Sequence, residues 1–275
     1  MGCGELNRRD RSIENQTRKL NFIFSCIATL FVACWICSCV SSCHSKEESP
    51  KPKTPTSTAV DNNAVDANLP SKAEFEDPDS ILILVNKANP LTSDYEPNDL
   101  VSCRDLGITV VGVNDKMRKE AAEALKEMCD AAKKDGVDVF LGSGYRSYEN
   151  QDSLWHSYAN RDGAKSADEY SARAGCSEHQ TGLCFDAAQG DGGLDGYNYT
   201  QKFEDTQMGK WLLENSWKHG FILRYPLNKE SVTGYVYEPW HYRYIGKKWA
   251  RYVHDAGQDM TYEEVFNLDG GQEYK

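Results

Sequence analysis

Residues 114–159 read NDKMRKEAAEALKEMCDAAKKDGVDVFLGSGYRSYENQDSLWHSYA, and three kinds of local order follow one another along them. Met117, Ala121, Leu125, Met128 and Ala132 recur at the spacing of one helix face, which predicts a helix over Asn114–Gly136 with Gly136 as its stop. Val137–Leu141 reads as a strand, broken by Gly142, Ser143 and Gly144. A second helix is predicted from Ser147 to Ala159, with Gln151, Leu154, Trp155 and Tyr158 along one side.

Outside this stretch the same mixture continues. Ile81–Val85 (ILILV) reads as a buried strand, and Phe221–Tyr225 and Tyr235–Tyr237 as two more. Ser166 with Glu169 has the capping-box pattern of a short helix, Thr206–His219 reads as a helix ending at Gly220, and Thr261 with Glu264 caps a final short helix. Strands and helices do not alternate regularly and no internal repeat appears. The expected class is therefore α+β, a single compact domain over 79–275 with a small antiparallel sheet flanked by helices.

The chain has 275 residues and a formal net charge of −11, which argues against a nucleic-acid partner because phosphates need a basic face. Its ten cysteines are unevenly placed: six lie in the first 43 residues, leaving Cys103, Cys129, Cys176 and Cys184 for the rest. They form no paired spacing of a zinc ribbon or finger.

The N-terminal region reads as an address and a tether. Residues 1–20 are a basic segment (Arg8, Arg9, Arg11, Arg18, Lys19), expected to be cytoplasmic, and Phe22–Val40 follows without a charge. A helix of that length just crosses a bilayer core of about 30 Å, and the basic flank places the bulk of the chain outside. Two readings of residues 21–43 are open: an uncleaved signal anchor, or a lipoprotein signal with Cys43 as the lipidated residue. Either predicts a protein held at the cell membrane, single-pass or lipid-anchored, with its folded domain extracellular. Residues 44–78, rich in Ser, Thr, Pro and Asn, read as a flexible linker.

Three short segments concentrate residue types that do chemistry. They are Ser143–Ser147 (SGYRS) with Gln151, Ser177–Asp186 (SEHQTGLCFD), and Glu238–Arg243 (EPWHYR). Two imidazoles and a carboxylate, His179, Asp186 and His241, are a ligand set for a catalytic zinc that keeps a position for water. Glu238, three residues before His241, is a candidate base for the water proton. Each piece alone also has a plain structural reading, as a core histidine, a surface arginine or a Trp-anchored loop. H-E-x-x-H, the helical zinc-protease pattern, is absent.

Together and in this order, SGYRS, SEHQTGLxxD and EPWHYRYIG closely resemble the VanY-type D-alanyl-D-alanine carboxypeptidases. The likeness extends over 81–250, through LVNK (84–87), GFILRYP (220–226) and Thr233-Gly234. The resemblance implies a zinc metallopeptidase that removes the terminal D-alanine from peptidoglycan stem peptides. Zn2+ would sit on His179, Asp186 and His241, with Glu238 as general base and Arg146 as the second catalytic residue, beside the scissile carbonyl or terminal carboxylate. Gln151, Ser177 and Tyr225 would line the substrate pocket and Trp240 would form a wall. Rival readings are an L,D-carboxypeptidase trimming tetrapeptides, a D,D-dipeptidase, and a non-catalytic wall-binding module that keeps zinc. A monomer is the default.

One departure from the family pattern stands out. Cys184 occupies a position where alanine is usual, and Cys176 lies just before Ser177. Three readings are open: small residues at semi-buried sites, a Cys176–Cys184 disulfide clamping the His179 loop, or a thiolate binding zinc beside His179, which would disturb the two-histidine and aspartate set.

Overall fold

The computed structural model describes residues 69–190 and 199–274, and the residues that alternate along its short strands decide what lies on either side. In chain order the helices are α1 (Lys72–Glu76), α2 (Lys119–Lys134), α3 (Tyr148–Asp162), α4 (Ala164–Tyr170), α5 (Gln207–Asn215), α6 (Glu230–Thr233), α7 (Gly246–Ala256) and α8 (Tyr262–Phe266). The strands are β1 (Leu100–Ser102), β2 (Lys116–Arg118), β3 (Phe140–Ser143), β4 (Cys184–Ala188), β5 (Phe221–Leu223) and β6 (His241–Tyr244). β1 pairs with β2, and the other four form an antiparallel sheet in the order β3-β4-β6-β5. The described part of the chain is α+β, as expected.

Alternation sorts β4 and β6 into two faces. Phe185 and Ala187 of β4, with Tyr242 and Tyr244 of β6, enter a core closed by the apolar face of α2 (Ala121, Leu125, Met128, Ala132). Burying side chains the size of Leu125, Met128 or Phe185 contributes about 1.5–3 kcal/mol each. The intervening residues Cys184, Asp186, His241 and Arg243 face the other way, yet all are buried. A second cluster, including Leu82, Leu84, Ile222, Ile245, Val253 and Tyr262, packs under α7 and α8.

Several local expectations change. Leu82–Val85 is buried as predicted and Ile81 partly so, but the run is not a strand. Ile83 and Val85 serve one core, Leu82 and Leu84 the other. Its backbone is satisfied without a neighbouring strand. Arg243 donates to the carbonyls of Ile81 and Ile83, Tyr262 Oη donates to that of Leu82, and Leu84 N–H donates to Phe75 O. Tyr235–Tyr237 is likewise irregular: Tyr235 N–H turns to Thr233 Oγ1 and Val236 N–H to Glu169 O. Within the first quoted stretch, Lys116–Arg118 is strand rather than helix. β3 starts at Phe140 and runs through Gly142 and Ser143, the residues expected to break it. α4 begins after Gly163, so Ser166 lies inside it and caps nothing. By contrast Ser147 caps α3 by accepting from Asn150 N–H, Thr206 caps α5, and Thr261 with Glu264 forms the expected capping box of α8.

The linker expected over 44–78 also ends early. α1 buries Phe75, whose ring lies 5.9 Å from that of Tyr262 and 5.3 Å from that of Phe266, so residues 71–76 belong to the fold. The membrane segment and the remainder of the linker lie outside the described residues. Among those described, no helix is long and apolar enough to cross a membrane.

Candidate active site

The sheet brings the polar residues together. Asp186, in an inner strand, has Ser143 of β3 and His241 of β6 as its cross-strand partners. His179 comes from a 3₁₀ turn, Glu178–Thr181, that leads into β4. Gly182 ends that turn at φ +65°, and a Cβ there would lie 2.8 Å from Leu100 Cδ2. Only glycine meets both conditions without strain. Arg146 N–H donates to His179 O, which ties the turn to the SGYRS segment. Glu238 reaches the site because His241 N–H donates back to Glu238 O, folding EPWH into a tight turn.

Proton positions on the two imidazoles follow from their outer partners. His179 Nδ1 lies 2.7 Å from Gly144 O, which can only accept, so the proton sits on Nδ1. Its Nε2 lone pair then faces Asp186 Oδ2 at 3.1 Å. His241 Nε2 points at Glu178 Oε2 (3.4 Å), leaving Nδ1 to face Asp186 Oδ1 at 3.0 Å. Two nitrogen lone pairs and a carboxylate thus converge with no donor among them, an arrangement that a cation neutralises. The donor types are those zinc takes, so the residues fit the ion that the family likeness implies.

The electrostatics agree. Burial works to lower His179, yet Cys184 and Asp186 raise it to about 9. Burial works to raise Asp186, yet the two histidines hold its carboxyl well below the usual range. This is a site that seeks positive charge. Glu238 Oε2 lies 3.9 Å from His241 Nδ1, and burial, with Asp186 adding to it, pushes Glu238 up to about 8.

Around these residues opens a cleft of about 1060 Å³, on whose wall stand all nine residues singled out from the sequence. Arg146 is aimed rather than loose: Nη1 donates to Gln151 Oε1 (2.7 Å) and Nη2 to Ser143 Oγ (3.0 Å). Gln151 is itself fixed by donating to Ala172 O. Ser177 is buried at the start of the 3₁₀ turn, and the Tyr225 ring lies 5.0 Å from that of His241. Trp240 packs edge-on against Tyr199, at 6.2 Å between centroids.

Sequence reading gave no role to Glu178, although it is the residue that orients His241. It is fully enclosed, accepting from Arg224 Nε (2.7 Å) and Arg243 Nη1 (2.8 Å). Arg224 in turn makes a two-pronged pair with Glu263 of α8. Burial alone would raise Glu178, but the two guanidiniums hold it well below the ordinary carboxylate range. The available signal was an arginine inside each of two largely apolar or aromatic runs, FILRYP and HYRYIG.

The disulfide reading is corrected. Cys176 and Cys184 are both free thiols. Cys184 Sγ lies within 4.8 Å of a ring nitrogen of each of His179 and His241, whereas Cys176 Sγ lies 4.0 Å from Lys87 O.

Fold and site together define a metallopeptidase of the D-alanyl-D-alanine carboxypeptidase class, and comparison with known proteins agrees. The VanY family profile, described as D-alanyl-D-alanine carboxypeptidase, matches residues 114–247. YodJ of Bacillus subtilis (strain 168), named provisionally as a carboxypeptidase, is 45% identical over 194 residues, 70% of this chain and 69% of that one. A solved LD-carboxypeptidase, LdcB, superposes with a TM-score of 0.63 at 43% identity, covering 70% of this chain and 88% of its own. A variant of the vancomycin-resistance D,D-pentapeptidase VanY, solved with Zn(II), gives 0.54 at 31% identity, covering 67% and 98%. This chain belongs to the VanY-type D-alanyl-D-alanine carboxypeptidase family.

Proposed function

We propose that this chain is a zinc-dependent carboxypeptidase that removes the terminal D-alanine from peptidoglycan stem peptides ending in D-Ala-D-Ala. The observation that carries the reading is the convergence of His179 Nε2, Asp186 and His241 Nδ1, with Glu238 beside them, in a cleft that also holds Arg146. The chemistry a zinc ion on those residues supplies is Lewis acidity, towards the scissile carbonyl and towards the attacking water.

The remaining work falls to the chain's own side chains. Arg146 keeps N–H groups beyond those given to Gln151 and Ser143, and a guanidinium presents paired donors suited to a carboxylate or a developing oxyanion. Glu238 accepts the water proton on its carboxylate and returns it to the leaving amine. Tyr225, Trp240 and Ser177 shape the wall against which a small methyl side chain fits. The cleft is far larger than one alanine needs, which suits a peptide of several residues.

The apolar run 22–40 supports a membrane tether, by a signal anchor or through Cys43, with the domain on the outer face. The 43% identity to LdcB favours one second reading, release of D-alanine from tetrapeptides by L,D cleavage. Incubating the purified chain with pentapeptide and tetrapeptide stems, with zinc or with a chelator, distinguishes the two by mass. Zinc-dependent release of one D-alanine from the pentapeptide is expected. Release from the tetrapeptide alone selects the second reading, and release from neither by zinc-loaded protein rejects both.

A further inference from the structure

Cys184 takes no part in the chemistry described above, yet it sits inside the site. It is fully buried on β4, two residues before Asp186, so the two-residue strand period turns its sulfur towards the same side as that carboxylate. Its Sγ and one ring nitrogen each of His179 and His241 all lie within 4.8 Å of one another. Donors sharing one tetrahedral ion, at about 2.0 Å for nitrogen and 2.3 Å for sulfur, are about 3.3–3.5 Å apart, so the three need only draw in around an ion. Among the described residues the inward thiol is not in a disulfide, and the metal-binding groups grouped with it are those same two imidazoles.

We propose that Cys184 supplies a thiolate donor to the metal held by His179, Asp186 and His241, giving this chain a two-histidine, aspartate and cysteine set. The inference rests on the peptidase reading for the ion and adds a ligand to it, so the attacking water would enter as a fifth donor, an expansion that catalytic zinc sites allow. On metal binding the Sγ–H bond breaks, a sulfur–metal bond forms and the proton passes to water, with no change of oxidation state. A soft sulfur donor tilts the site towards zinc and away from harder ions such as manganese or magnesium.

The test uses the full chain, emptied of metal and titrated with Co(II) as a spectroscopic stand-in for zinc. Wild type is expected to bind one cobalt with a near-ultraviolet sulfur-to-cobalt charge-transfer band. Cys184→Ala, a substitution to the residue usual in the family, should keep the weaker visible ligand-field bands and lose the near-ultraviolet one. Zinc retention against a chromophoric chelator should weaken by at least about tenfold in the variant, the order seen for removing even outer partners of a ligand. Cys184→Ser, closer in size, serves the same comparison should the alanine variant fail to fold. One-to-one cobalt binding with the same near-ultraviolet spectrum in wild type and variant overturns the thiolate while leaving the peptidase reading intact. Failure of both folded proteins to bind cobalt overturns the metal site and this inference with it.

Discussion

Glu238 and Glu178 are both buried carboxylates close to His241, and their surroundings drive them in opposite directions. Burial, with Asp186 adding to it, pushes Glu238 up to about 8, and a cation on the neighbouring histidines would draw it back towards the ionised form that accepts a proton. Glu178 has two guanidiniums against it and stays ionised. Replacing the first, Glu238→Gln, is expected to lower kcat by about 10²–10⁴-fold, the range for a positioned acid–base group, with bound zinc unchanged by metal analysis. Replacing the second, Glu178→Gln, leaves Arg224 and Arg243 short of a buried charge and should cost about 3–5 kcal/mol in urea unfolding. Its pH signature follows from linkage. A carboxyl depressed in the folded state stabilises above its unfolded value, and that contribution drains away as pH falls through the folded one. Wild type should therefore lose stability progressively below the ordinary carboxylate range, and Glu178→Gln should do so with a shallower slope.

At the scale of elements, the 3₁₀ turn Glu178–Thr181 matters most, because His179 and Glu178 leave it in different directions and its exit is fixed by Gly182. Gly182→Ala should cost at least about 1–2 kcal/mol from the left-handed backbone alone and should also weaken zinc retention, since the turn carries His179, a proposed ligand. Parallel unfolding and chelator-competition curves check both effects. Elements of this kind explain what could be read in advance. α2 was legible because its apolar residues repeat at helical spacing, and α8 because its cap is local in sequence. β4 and β6 do alternate, but over only five and four residues, and Cys184, Asp186, His241 and Arg243 read there as parts of chemical motifs rather than as one face of a strand. Ile81–Val85 looked like a strand because side-chain donors can satisfy a buried backbone as a neighbouring strand would. The nine residues singled out in the motifs all line the cleft, but the part played by Glu178 was not legible, its partners lying 46 and 65 positions away.

Across the whole molecule, the segments that never touch the cleft hold its far side in place. Phe75, from the end of what reads as a linker, packs against Tyr262 and Phe266 of α8, and α8 carries Glu263. Phe75→Ala should cost about 3–5 kcal/mol, the usual loss for a buried aromatic, as a shift in denaturation midpoint with the slope unchanged. A chain beginning at residue 79 should be destabilised at least as much as the point variant. The line Glu263–Arg224–Glu178–His241 has a consequence in time as well as in space. Synthesis runs from the N-terminus, so His179, Asp186 and His241 all exist before the last support of His241 has been made. A nascent chain that stops short of α8 would hold the proposed ligands without their alignment, and activity would be expected only once Glu263 has been added and α8 has docked.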